Sequence, residues 1–271
     1  MPTEAPRQQK VCPNAPTIGF SAHAIPVPPE DIFGLPALPP PMGPSFVKIL
    51  ALETTEKTGS LAAMADGTLV AAADLPHYQR SAQSLAPAMR GLIADAGWTP
   101  RQIDLIAVVT GPGSFTGLRV GITTAKMLAY ACRADILGLD TLQTIAEQGP
   151  EGIESLWAAV DAQRGDVMAQ PFQRTDAGWM EPAGPAELIP TEAWLEGLPA
   201  GTILTGPFLR KHADRIPAGL ELLPSSCWTP NATTVARLAA RDHAAGRRDD
   251  LWTLLPHYCR RSAAEEKRDR P

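Results

Sequence analysis

Histidine is scarce in this chain. There are five, at positions 23, 77, 212, 243 and 257, and none lies between His77 and His212. Without a histidine pair or a His-Glu-x-x-His string, the zinc-peptidase pattern is excluded. Cysteine is equally sparse: Cys12, Cys132, Cys227 and Cys259 are scattered, with no Cys-x-x-Cys pair. Neither a disulfide framework nor a zinc site is indicated, and reduced thiols are expected. No apolar run approaches membrane-spanning length, so no membrane partner is expected. The first residues lack the basic, apolar and cleavage segments of a secretory signal, and a cytoplasmic location is expected. Excess positive charge is also missing. The net charge is −5, so the surface as a whole does not attract nucleic acid, which leaves room only for a local patch.

What is present is an ordinary globular complement, 44% hydrophobic and 20% charged over 271 residues, enough for one large domain or two small ones. Met1 to Phe46 differ in kind. Prolines recur and no helical or strand periodicity survives, so residues 1–46 are expected to be a disordered extension. From Val47 the chain changes character. Val47–Glu53 is a continuous apolar run suited to a central strand, Ser60–Met64 and Thr68–Leu75 read as strands, and Asp66-Gly67 is a hairpin turn between them. Leu85, Met89, Leu92, Ile93 and Ala96 follow helical spacing, with Ser81 as N-cap and Gly97 as stop signal.

The chain is organised around Asp104–Arg133. Leu105–Val109 is long enough for a buried strand and too short for a helix. Gly111-Pro112-Gly113-Ser114 makes a turn, and Ser114 or Thr116 can cap the helix that follows. On that helix Leu118, Ile122, Ala125 and Ala129 form one apolar stripe, with small residues at Gly117, Gly121 and Ala125 permitting close packing. Two readings of the turn stay open: a structural strand-turn-helix, or an anion site at a helix start. Its spacing fits neither the Walker loop, since Leu118 and Arg119 follow Gly117, nor the dinucleotide fingerprint, nor the Gly-x-Ser-x-Gly elbow.

As a whole string, Gly111-Pro-Gly-Ser-Phe-Thr-Gly-Leu-Arg-Val-Gly121 resembles the YeaZ-type (TsaB) family, which serves threonylcarbamoyladenosine formation at position 37 of tRNA. The likeness runs from about Val47 to the C-terminus, with its specific motifs mainly in Val47–Leu142, and it makes Met42 an alternative start. It implies an α/β fold of the ASKHA (actin and sugar-kinase-like) type, with two similar subdomains, each a mixed sheet flanked by helices. The expected boundaries are 47–150 and 151–262, with a charged tail at 263–271. It also implies a non-catalytic partner of the related transferase TsaD, reached by TsaE through the complex, forming a homodimer when TsaD is absent, and meeting tRNA only indirectly. DNA is not an expected partner.

On the same resemblance, Leu85, Met89, Gly117, Gly121, Ala125 and Leu128 on the helix pair are the expected partner interface. Gly111, Gly113, Ser114 and Glu53 are the candidate phosphate contacts. No intrinsic cofactor is implied, and ATP or ADP would sit at the joint interface with TsaD. Family members commonly show Asp-Thr-Ser where this chain has Glu53-Thr54-Thr55. Catalytic relatives carry a His-x-x-x-His metal pair, and aligning Gly138 with the preceding glycine puts Thr141 and Ile145 at those positions. Isoleucine cannot ligate a metal, and threonine alone is a poor ligand. The competing reading is an enzyme, either an ASKHA phosphotransferase or a glycoprotease-like metallopeptidase.

In the second half, Trp157–Val160 and Val167–Phe172 read as strands joined by Asp161-Ala-Gln-Arg-Gly165, which resembles the family's Asp-Ala-Arg-x-Gly turn. Asp161 is either a turn former or a second phosphate-facing carboxylate. Thr191–Leu198 reads as a helix and Thr202–Thr205 as a strand; Gly206-Pro207 keeps only a trace of an adenosine loop. Asn231 caps the last clear helix, which Gly246 ends. Pro256-His-Tyr-Cys-Arg260 resembles the family's closing Pro-x-Tyr-Leu-Arg segment, with Cys259 in place of leucine.

Overall fold

In β1, Lys48–Glu53, alternate residues serve two different cores. Leu50 and Leu52 pack under one pair of helices, while Ile49 and Ala51 face another helix on the opposite side of the sheet. A strand covered on both faces is apolar at every position rather than at every second one, which is why this run does not alternate. The computed structural model describes residues 47–76 and 81–260, the side chains of 81–83 excepted. The expected extension at 1–46, the alternative start at Met42, the Ser81 cap and the tail at 263–271 lie outside those residues.

Five strands form the first sheet: β1, β2 (Ser60–Ala65), β3 (Thr68–Asp74), β4 (Leu105–Gly111) and β5 (Asp135–Asp140), in spatial order β3-β2-β1-β4-β5. β1, β2 and β3 are antiparallel neighbours, while β4 and β5 extend the sheet in parallel from β1. Helix α1 (Ser81–Asp95) and α2 (Phe115–Cys132) cover one face. The second sheet is built from β6 (Ser155–Asp161), β7 (Asp166–Arg174), β8 (Met180–Pro182), β9 (Glu187–Pro190), β10 (Ile203–Thr205) and β11 (Glu221–Leu222). Its order, β11-β10-β6-β7-β8 with β9 also on β7, repeats the first: a founding strand, antiparallel strands to one side, parallel strands to the other. This duplicated mixed α/β plan is the ASKHA arrangement.

The halves exchange helices. α3 (Thr141–Ala146) follows β5 of the first sheet yet buries Leu142, Ile145 and Ala146 against Leu156, Ala158, Val160 and Phe172 of the second. In return α6 (Ala232–Ala244), which follows β11, buries Val235, Ala236, Leu238 and Ala239 on β1, β2, β4 and β5. The C-terminal third is therefore shared between both sheets rather than confined to the second. Asn231 caps α6 as expected, its side-chain oxygen accepting from Thr234 N at 2.9 Å. The short α4 (Thr191–Gly197) and α5 (Leu209–His212) cover the second sheet, with Trp194 and Phe208 edge-to-face at 5.5 Å.

Candidate functional site

Open α/β sheets bind ligands at the carboxyl ends of their parallel strands. In the first sheet those ends are Glu53 of β1, Thr110-Gly111 of β4 and Asp140 of β5, and in the second Asp161 ends β6. The turn after β4 contains a cis Gly111–Pro112 bond and leads to Ser114, which caps α2 by accepting from Gly117 N at 3.3 Å.

The glycines of this turn face the chain itself. A Cβ on Gly113 would lie 2.5 Å from Thr55 Cβ, one on Gly117 1.9 Å from the Thr54 carbonyl oxygen, and one on Gly121 2.2 Å from Thr54 Oγ1. Real Cβ atoms do not approach so closely, so three glycines spaced four apart make a groove along α2 that receives Thr54-Thr55. Hydrogen bonds fix the seat: Thr54 Oγ1 donates to Gly117 O at 2.9 Å, and Ser114 N donates to Thr55 O at 2.9 Å. Gly111, at φ +124°, has the His257 carbonyl oxygen where its Cβ would be, 2.2 Å away.

This corrects the expected partner surface. Leu85, Met89, Gly117, Gly121 and Ala125 are all buried inside this chain, and of the expected set only Leu128 is partly exposed. Gly117 and Gly121 do not leave room for a foreign helix, because Thr54 fills the space beside them. What the helix pair offers outward is different: Ala86, Pro87, Arg90, Gly91 and Ala94 on α1, and Arg119, Thr123, Met127 and Tyr130 on α2. Met127 is 69% exposed and Tyr130 58%, with Trp252 edge-on to Tyr130 at 6.0 Å. Exposed apolar side chains grouped in this way mark interaction surfaces more often than scattered ones do.

The candidate phosphate contacts are likewise engaged. Glu53 is fully buried, its Oε1 accepting from Thr55 N and Oγ1 at 2.5 Å each, while Oε2 has no hydrogen-bond partner among the described residues. Burial raises its pKa to about 7 against the opposing effect of the Thr55 hydrogen bonds. It is not an exposed carboxylate open to a metal-bound phosphate. Ser114 is spent on the helix cap and Gly111 is covered, so of the turn only Gly113 and Ser114 reach solvent.

Thr141 and Ile145, the positions expected to align with the metal pair of catalytic relatives, are buried on α3, and among the described residues Thr141 Oγ1 has no hydrogen-bond partner. Among the described residues no three of His, Cys, Asp and Glu are grouped so as to hold a metal. Asp140 caps α3 by accepting from Gln143 N at 3.0 Å, and burial pushes its pKa up. Asp161 takes the turn-forming role. It accepts from Gln163 N at 2.8 Å at the start of a hairpin in which Gln163, Arg164 and Gly165 all have positive φ, and it pairs with Lys211 at 2.6 Å. Burial works to raise the Asp161 pKa, but Lys211 and the Gln163 amide outweigh it and hold it low. Gly206 abuts the Ala159 carbonyl of β6, where a Cβ would lie 2.1 Å away, so it serves the packing of the second sheet.

The comparisons with known proteins agree with this architecture. The family model described as "TsaD: tRNA N6-adenosine threonylcarbamoyltransferase" matches residues 77–203. YeaZ from Pseudomonas aeruginosa, a solved structure, superimposes with a TM-score of 0.68 at 27% identity, covering 78% of this chain and 99% of that one. The tRNA threonylcarbamoyladenosine biosynthesis protein TsaB of Bacillus subtilis is 28% identical over 228 residues, 81% of this chain and 96% of the relative. The chain resembles the TsaB/YeaZ type over most of its length. The Escherichia coli TsaB is similar to the same degree, 28% over 232 residues, 82% of this chain and 98% of that protein. The transferase model thus matches the central part of a chain that also resembles TsaB. No helix among the described residues is long and apolar enough to cross a membrane.

Proposed function

We propose that this chain is the non-catalytic subunit of the assembly that forms threonylcarbamoyladenosine at position 37 of tRNA, binding the transferase TsaD and making it competent for threonylcarbamoyl transfer. The observation that carries the reading is similarity along nearly the full length of two TsaB proteins named for that modification. The site adds support. Ile145 and Thr141 supply no imidazole where catalytic relatives carry metal ligands, and Glu53 is enclosed. TsaD meets the outer face of α1 and α2, centred on Met127 and Tyr130 rather than on the buried glycine stripe. A second copy of this chain covers the same face when TsaD is absent. TsaE and tRNA act through the complex, and ATP or ADP belongs to the joint interface. The place of action is the cytoplasm, where tRNA is modified.

Co-purification tests the reading. The chain and its cognate TsaD, mixed with or without ATP and TsaE, are expected to co-elute on gel filtration; separate elution under all conditions overturns it.

A further inference from the structure

After α6 the chain does not leave the body of the protein. It runs along the free edge of β5, where Asp249 N donates to Ile136 O at 3.1 Å and Asp249 Oδ2 accepts from Gly138 N at 2.7 Å. It then crosses α2, held by Lys126, whose Nζ donates to the carbonyl oxygens of Trp252 and Leu254 at 3.1 Å each. From Leu255 it turns over the strand ends described above. His257 N donates to Thr110 O at 2.7 Å, and the His257 carbonyl lies against Gly111. Tyr258 is clasped by the signature string itself. Arg119 Nε donates to its hydroxyl at 2.9 Å, the Phe115 ring lies 4.8 Å from its ring, and the Arg119 guanidinium sits 4.0 Å over Phe115. Cys259 packs with the core cluster of α3 and the second sheet, and its sulfur meets the Gly113 backbone amide. Arg260 then pairs with Asp166 at the start of β7.

We propose that Leu255–Arg260 is an internal strap that fills the crevice at the carboxyl ends of β4 and β5 and fastens the glycine turn of the first half to the β7 end of the second. Its last four residues, His257, Tyr258, Cys259 and Arg260, in turn engage β4, α2, the α3 core and β7. The two motifs that stand out in the sequence, the Gly-Pro-Gly string and the closing Pro-x-Tyr segment, are the two sides of one clasp. At Gly111 the backbone that a phosphate would approach in a nucleotide-binding relative of this fold is covered by the chain's own His257 carbonyl, and Cys259 lies beside Gly113. While the strap is seated, the Gly111 end of the crevice stays closed to small anionic ligands. The proposal stands apart from the transferase reading: it concerns the isolated chain and needs no partner.

Cys259 reports on the strap, because a thiol reacts only as its exposed thiolate. The full-length protein is pulsed with N-ethylmaleimide and each cysteine is followed by peptide mass spectrometry, with Cys132 as the internal standard. In the wild type Cys259 is expected to react more slowly than Cys132. Tyr258→Ala, which opens the clasp on α2, and Asp166→Asn, which frees Arg260 from the far side, are each expected to speed Cys259 by roughly tenfold or more. Cys132 keeps its rate in both, and this distinguishes strap release from unfolding. MgADP or inorganic phosphate leaves the wild-type rate unchanged. The proposal is overturned if Cys259 reacts as fast as Cys132 in the wild type, if neither variant accelerates it, or if MgADP protects it saturably. Failure to bind TsaD with these kinetics intact counts against the transferase reading alone.

Discussion

The carbonyl oxygen of Thr54 stands 1.9 Å from where a Cβ on Gly117 would be. This contact between the end of β1 and the first turn of α2 explains the glycine string more directly than any ligand does. The string permits a helix to lie on a turn of backbone, with Thr54 Oγ1 hydrogen-bonded into the groove.

Gly117→Ala is therefore expected to destabilise the fold by about 3 kcal/mol or more, because backbone rather than a flexible side chain must move. Gly121→Ala should cost less, since the nearest atom there is a hydroxyl that can turn aside. Gly91→Ala on α1 is the control. Among the described residues nothing lies within 4 Å of its added carbon, and the substitution should gain roughly 0.5–1 kcal/mol from helix propensity. Denaturant titration of the three variants measures the order.

Buried Glu53 gives stability a pH dependence of defined sign. Its pKa rises from the ordinary 4.5 to about 7 on folding, so between those values the folded state holds more protons than the unfolded one. Stability then falls as pH rises from about 4.5 to about 7, and the loss is complete above that, on the order of 3 kcal/mol in total. Glu53→Gln is expected to remove this slope, gaining on the wild type as the pH is raised from 5 to about 7 and levelling off above that. Equal slopes for the two proteins in urea titrations across that range would contradict the assignment.

Much of the framework was legible because it rests on local patterns. The apolar run of β1, the short strand β4, the Ser114 and Asn231 caps and the 3.6-residue stripe of α2 are all written in neighbouring residues. What was not legible depends on distant ones. Gly117 and Gly121 look like a helix made for a partner, and only the fold reveals that Thr54, more than sixty positions earlier, fills the space. Glu53 read as a phosphate-facing carboxylate because nothing in its neighbours marks it as enclosed. β8, β9 and β11 span two to four residues each, too few to show a period. The role of Tyr258 required seeing it beside Arg119, 139 positions away.

The outward face of α2 supplies the next test. Met127→Arg combined with Tyr130→Ala should weaken association with TsaD by about 2 kcal/mol or more, roughly thirtyfold in Kd. Both side chains are mostly solvent-exposed, so thermal stability should change by no more than about 0.5 kcal/mol. Ala125→Arg, by contrast, inserts a charge into a fully buried position and is expected to unfold the first half rather than only dissociate a complex.

Removal of the Asn231 side chain at the start of α6 separates the two sheets' contributions. That helix caps itself on Asn231 and covers the first sheet from the far end of the chain. Asn231→Ala should cost about 1 kcal/mol. Hydrogen exchange should then rise first in Ala232–Val235, ahead of the second sheet.

The most direct measurement is reconstitution of threonylcarbamoyl transfer to tRNA from purified components, with this chain supplied, omitted, or supplied without TsaD. The account predicts product only when both proteins are present, and none from this chain alone. Full transfer by TsaD in its absence, or transfer by this chain without TsaD, would contradict it.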